Sequence, residues 1–169
     1  AGLVLDSVDS AATPFSDNFQ VGFAINDETD FTYTATPFAP TGGSIEHDGT
    51  ITLDTVDNPN ADITVGEFSI GFDASRVTYT ASGFFVADTL DGNGLDILFD
   101  ISVPGLVNAT AADLTIAETD LLLSPEFASA LGLPELAGAD VGDARSDAFT
   151  QDLAGQATVA IAAGETVAL

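Results

Sequence analysis

Apolar residues return at every second position along most of this chain, a period that commits it to half-buried β-strands. The clearest run is Leu95, Ile97, Phe99, Ile101 and Val103, with Asp96, Asp100 and Ser102 facing out. It follows the turn Asp91-Gly92-Asn93-Gly94, whose Asn-Gly pair tolerates the positive φ of a tight hairpin. Phe19, Val21, Phe23 and Ile25 form another run, then Phe31, Tyr33 and Ala35, then Ile45, His47, Gly49, Ile51 and Leu53. Val77, Tyr79 and Ala81, followed by Phe84 to Val86, continue the pattern. Ile63 and Val65 occupy odd positions but Phe68, Ile70 and Phe72 even ones, so a β-bulge is expected at Gly66-Glu67.

One stretch breaks the rhythm. Within Leu121–Gly132, Ser124 can cap a helix, Pro125 suits its first position, Glu126 faces the positive dipole end and Gly132 can end it. Residues 133–149 read as a loop rich in Gly, Asp and Pro, and 156–163 and 165–169 as closing strands. Short strands with no βαβ rhythm predict an all-β fold, an antiparallel β-sandwich or jelly roll with one short helix near 124–131. No linker interrupts residues 1–169, which read as a single domain.

Charge narrows the partners. The 27 acidic residues face two basic ones, Arg76 and Arg145, for a net charge of −25, yet 46% of residues are hydrophobic, so the chain folds rather than staying disordered. Such a surface has no means of displacing counterions from nucleic acid and is repelled by an anionic membrane. It attracts divalent cations, or suits a saline medium that screens it. With no Cys, Met or Trp, the chain has no disulfide, no thiolate nucleophile and few oxidisable side chains. It starts Ala1-Gly2-Leu3, as expected of a mature secreted form, and no apolar run reaches membrane-spanning length.

The block Ile63-Thr-Val-Gly-Glu-Phe-Ser-Ile-Gly-Phe-Asp-Ala-Ser-Arg76, with Ser82-Gly-Phe-Phe-Val-Ala-Asp-Thr-Leu90 and Ile97-Leu-Phe-Asp100, resembles secreted proteins of cyanobacteria and other marine bacteria. So do Leu123-Ser-Pro-Glu-Phe-Ala-Ser-Ala-Leu131 and Leu136-Ala-Gly-Ala-Asp-Val-Gly-Asp-Ala-Arg145. Many of these carry a C-terminal sorting tail of the PEP-CTERM kind, which is removed on export. The resemblance implies an exported envelope or matrix protein, extracellular or at the cell surface, with no defined activity and no functional residue to carry over.

Asp88, Asp91, Asn93 and Asp96 are the calcium candidates, because oxygen ligands closely spaced among glycines suit a hard cation. The EF-hand order fails: counting from Asp91, Leu95 stands where an oxygen ligand belongs, and no Glu occupies the twelfth position. A plain hairpin turn is the competing reading. Asp140, Asp143 and Asp147 form a second acidic loop. His47, the one histidine, lies on the apolar parity of its strand and reads as a structural hydrogen bonder, with no Gly-x-Ser-x-Gly elbow to pair with it. Tyr33 and Tyr79 fall in strand runs as core or interface groups. Arg76 and Arg145 are expected to clamp carboxylates within the chain.

No enzymatic chemistry is therefore expected, and no cofactor beyond a calcium ion. The leading expectation is a structural subunit whose partner is itself, a homopolymer built by β-strand addition. The apolar segment Gly2-Leu3-Val4-Leu5, with Val8 in the polar tether after it, would be the donor strand, or else the uncharged run Ala157–Ala162. Lysine, a common guard of sheet edges, is absent. The alternative is a calcium-dependent adhesive or glycan-binding surface module.

Overall fold

The computed structural model describes residues 3–14, 16–55, 58–110, 113–152, 158–161 and 166–168. In chain order the strands are β1 (Leu3–Asp9), β2 (Gly22–Ile25), β3 (Thr32–Ala35), β4 (Phe38–Gly42), β5 (Ile45–Asp48), β6 (Thr50–Thr55), β7 (Asn58–Gly66) and β8 (Ser69–Phe72). They continue with β9 (Ala81–Ala87), β10 (Ile97–Ser102), β11 (Leu106–Ala109) and β12 (Asp113–Leu123), and after a helix α1 (Pro125–Ala130) with β13 (Asp140–Asp152), β14 (Thr158–Ile161) and β15 (Thr166–Ala168). The fold is all-β and antiparallel, of sandwich type, and among the described residues it has one short α-helix, where the capping pattern predicts it. Ser124 Oγ accepts from Phe127 N at 2.9 Å and donates to the Ile97 carbonyl at 2.6 Å, so one hydroxyl both starts the helix and ties it to β10.

The main sheet curls back on itself. The ladder β12-β10-β9-β8-β5-β2-β15-β13 closes through β12–β13, leaving β11 beside β12, while β14-β3-β4 extends from β13. The period-two residues fill the interior: Phe23, Ile25, Phe31, Tyr33, Ile45 and Phe68 are all buried, joined by Leu114 of β12 and Phe127 of α1. Near α1, β10 is covered on both faces. Leu98, whose parity points outward in the sequence, is buried, and Phe99 meets Phe127 edge to face at 6.0 Å.

A smaller sheet, β1-β6-β7, projects from this body. Its corner is where the apolar parity switches. Glu46 pairs with Ser69 in the main sheet, whereas Thr50 pairs with Gly66 in the small one, a slip of one residue between two stretches of the same hairpin. Gly49 (φ 117°) and Glu67 (φ 46°) take left-handed backbone there, and Glu67 N donates to the Gly49 carbonyl at 2.8 Å. The expected bulge is thus the point where two strands leave one sheet for the other.

Several readings need correction. Val103, expected to face in, lies past the end of β10 and is exposed, and Ser102, expected to face out, is buried. Residues 133–149 are not simply a loop: after a 3₁₀ turn at Pro134–Leu136, the long strand β13 begins at Asp140 and pairs with β12 from Asp140↔Leu122 to Phe149↔Asp113. Its inward residues are Ala144, Ser146 and Ala148, so the alternation is present but too small in volume to register as apolar period two. Val77 and Tyr79 lie outside any strand, between the 3₁₀ turn Ala74–Arg76 and β9. No helix among the described residues is long and apolar enough to cross a membrane.

Candidate functional site

The Asp88–Asp96 loop builds a hydrogen-bonded bracket. Asp88 is buried, and its Oδ1 accepts from Gly66 N at 2.8 Å and Leu90 N at 3.3 Å. Asn93 Nδ2 donates to the other carboxylate oxygen and to the Thr64 carbonyl, and Asn93 Oδ1 accepts from Leu95 N at 2.9 Å. Thr89 adds bonds from its hydroxyl to the Glu67 carbonyl and from its N to the Gly66 carbonyl. Both Asp88 oxygens therefore point at N–H donors, which a bound cation would have to displace. Asp91 and Asp96 are exposed, and among the described residues no group of three or more His, Asp or Glu side chains gathers in a metal-holding arrangement. The loop holds the corner from which the small sheet projects.

The second acidic segment is strand rather than loop. Asp140 caps its own turn through Gly142 N at 3.1 Å, Asp143 pairs across to Asp120, and Asp147 receives Arg145 Nε at 2.5 Å and Thr115 Oγ1 at 3.0 Å. Arg76 clamps Asp100 and Glu126 together, so both arginines are engaged within the chain.

His47 is a core group. Its Nδ1 lies 2.9 Å from the Phe68 carbonyl, which also accepts from His47 N, and Nε2 is buried with no partner among the described residues. Burial lowers its pKa from 6.5 to about 4, against the opposing pull of the Phe68 carbonyl and of Glu46 and Asp48. The unfolded chain takes up this proton near pH 6.5 and the folded chain only near 4. Stability contributed by neutral His47 is thus complete above pH 6.5 and is lost as pH falls through that window, by about 3 kcal/mol. Denaturant unfolding between pH 7 and 5, where His47 is the one side chain with an ordinary pKa in range, should show this acid limb, and His47→Phe should flatten it.

The N-terminal strand is the other sequence-predicted site. Leu3, Val4, Leu5 and Val8 all lie on β1, which runs antiparallel to β6 of its own chain, Val4 opposite Asp54 and Val8 opposite Ile51, with a register shift at Asp6. Leu5 packs against the core, while Val4 and Val8 stay exposed. Among the described residues β6 is the sole ladder partner of β1, so its outer edge is unpaired. Asp6, Asp54 and Asp62 meet across the three strands: a hydrogen bond with Asp62 and the nearby charge of Asp6 hold the Asp54 carboxyl above its ordinary value. Gly2, Ala157 and Ala162 lie outside the described residues, and between the last two β14 pairs with β3 and β13 of its own chain.

No protein-family model, curated protein or solved structure matches the chain.

One surface escapes the sequence reading. Val77, Tyr79, Val103, Leu106 and Val107 are large apolar residues left exposed, Tyr79 at 98%. Val103 N donates to the Thr80 carbonyl at 3.0 Å, which sets the two segments side by side. Both segments are free of charge in the sequence, a signal that their neighbourhood in space alone makes meaningful.

Proposed function

We propose that this chain is an extracellular structural subunit that assembles with copies of itself into a filament or matrix by β-strand addition. The observation that carries it is β1: a strand seven residues long, hydrogen-bonded among the described residues along one edge, with Val4 and Val8 exposed and no lysine in the sequence to guard the other. Its outer edge offers backbone donors and acceptors without any need for β1 to leave its own sheet. An exported life fits the resemblance to secreted marine bacterial proteins and the lack of Cys and Met. The net charge of −25 opposes contact between copies, and the Asp6, Asp54 and Asp62 carboxylates concentrate that repulsion on the small sheet, so assembly is driven by salt or divalent ions.

Electron microscopy of the purified chain in calcium-containing saline, with and without residues 1–10, tests this. The full chain should give filaments that vanish on chelation and low salt, and the shortened chain none. Filaments unaffected by the deletion would remove β1 from the contact, and their absence from the full chain would remove the function.

A further inference from the structure

A filament needs a second surface to receive β1. Among the described residues the main sheet has two edge strands free of acidic residues, β4 and β11, and Pro40 guards the first against an added strand. Acidic residues are spread through the chain, 27 in 169, yet none stands between Val77 and Ala87 or between Val103 and Ala112. The fold joins these two runs at one end of the body through the Val103–Thr80 hydrogen bond. Strand β11, Leu106–Ala109, lies in the second run, and among the described residues β12 is its sole ladder partner, so its outer edge is also unpaired. Leu106 and Val107 of β11 are exposed, as are Val103 just before it and Val77 and Tyr79 of the segment joined through Thr80, while Glu118 lies against Gly105 and Asp113 pairs with Thr110 at the far end. The small sheet carries Asp6, Asp54 and Asp62, so a second copy that also carries −25 receives β1 at least cost where its own surface presents no charge. The leading residues of β1, Leu3-Val4-Leu5, are likewise uncharged.

We infer that the outer edge of β11 and the apolar residues around it accept β1 of a second copy of this chain. This rests on the reading of β1 as the assembling strand. The two edges sit on different sheets of the subunit, so the contact is heterologous: each copy offers β1 to one neighbour and β11 to the next. A rotation that does not close then yields an open filament rather than a dimer. Tyr79 and Val107 supply apolar area that desolvates on docking, and residues of Val4 and Val107 type pack across adjoining strands.

The chain has no cysteine, so introduced thiols are the only ones present. Val4→Cys protein is mixed under assembling conditions with Val107→Cys protein or with Val141→Cys protein, Val141 being an exposed residue of β13, and oxidised. Disulfide heterodimers with Val107→Cys should exceed those with Val141→Cys by at least about tenfold, since docked thiols react at a raised effective concentration. A shift of one strand register is covered by repeating the pairing with Leu106→Cys and Asn108→Cys. In parallel, Val107→Asp should abolish filaments and leave the melting temperature of the monomer unchanged. Filaments that form while Val4→Cys shows no preference for the β11 positions, or that survive Val107→Asp, would overturn this acceptor and leave the role of β1 intact. A chain that forms no filaments at any salt or calcium concentration would overturn both.

Discussion

Arg76→Ala should lower the unfolding free energy by about 4 kcal/mol, and the melting temperature by roughly 10 °C, in denaturant and thermal scans. Arg76 ends the 3₁₀ turn before β9, and its guanidinium lies 5.8 Å from the Phe85 ring centroid. It grips Asp100 of β10 through Nε at 2.6 Å and Nη2 at 3.1 Å, and Glu126 of α1 through Nη1 at 2.8 Å and Nη2 at 3.1 Å. The Arg76 and Asp100 side chains are 14% and 16% exposed, whereas Glu126 is 44% exposed. Most of the loss therefore comes from leaving Asp100 desolvated without its cation, and the Glu126 pair adds at most about 1 kcal/mol. Arg145 is held by Asp147 on β13 and offers no substitute. Pairing Arg76→Met with Asp100→Leu should recover most of the stability, because the clamp is valuable chiefly once its partner is buried. A single variant within about 1 kcal/mol of the parent would mean that Asp100 rehydrates freely.

Gly66→Ala should cost about 3 kcal/mol by the same measurement. A Cβ on Gly66 would lie 2.6 Å from Thr50 Cγ2 and 2.7 Å from Thr50 Cα, and against the Gly49 carbonyl oxygen as well. These are mostly backbone atoms of the paired strand, so no rotamer relieves them. The same shift would loosen the Gly66 N–H bond to the buried Asp88 carboxylate. Gly92→Ala is the matched control: nothing lies within 4 Å of its Cβ, and only its left-handed φ of 90° opposes the change, by about 1 kcal/mol. Equal effects at the two sites would show that the corner between the sheets opens easily.

The contrast between these glycines indicates what the sequence makes legible. Large alternating side chains announce their strands, so Phe23 and Ile25, Ile45 and His47, and Ile51 and Leu53 all face the interior as their parity predicts. The Ser124-Pro125-Glu126 cap announces the helix because its chemistry is local. Strand β13 hides because Ala144, Ser146 and Ala148 carry too little volume to separate an inner face from the surrounding Asp and Gly. Leu98 sits between the inward-facing Ile97 and Phe99 and is buried as well, where β10 packs beside α1, a tertiary contact that nothing local reveals. Asp88 is recognisable as a loop carboxylate, but its use depends on Gly66, Thr64 and Asn93, two of them remote in sequence, so a cation and a backbone N–H cannot be told apart in advance. The termini are similar. The apolar character of Leu3–Leu5 is plain, whereas the pairing of β1 with β6 along one edge only is a tertiary fact.

The free edge of β1 is also where the central claim is most directly measured, by amide hydrogen exchange over residues 3–9 in dilute low-salt protein and in assembled material. In the isolated subunit, amides of β1 facing β6 should be protected and those on the outer edge should exchange freely. Assembly should slow the outer set while leaving β6 and β7 unchanged. Filaments in which the outer amides of β1 exchange as fast as in the monomer would contradict strand addition at this edge.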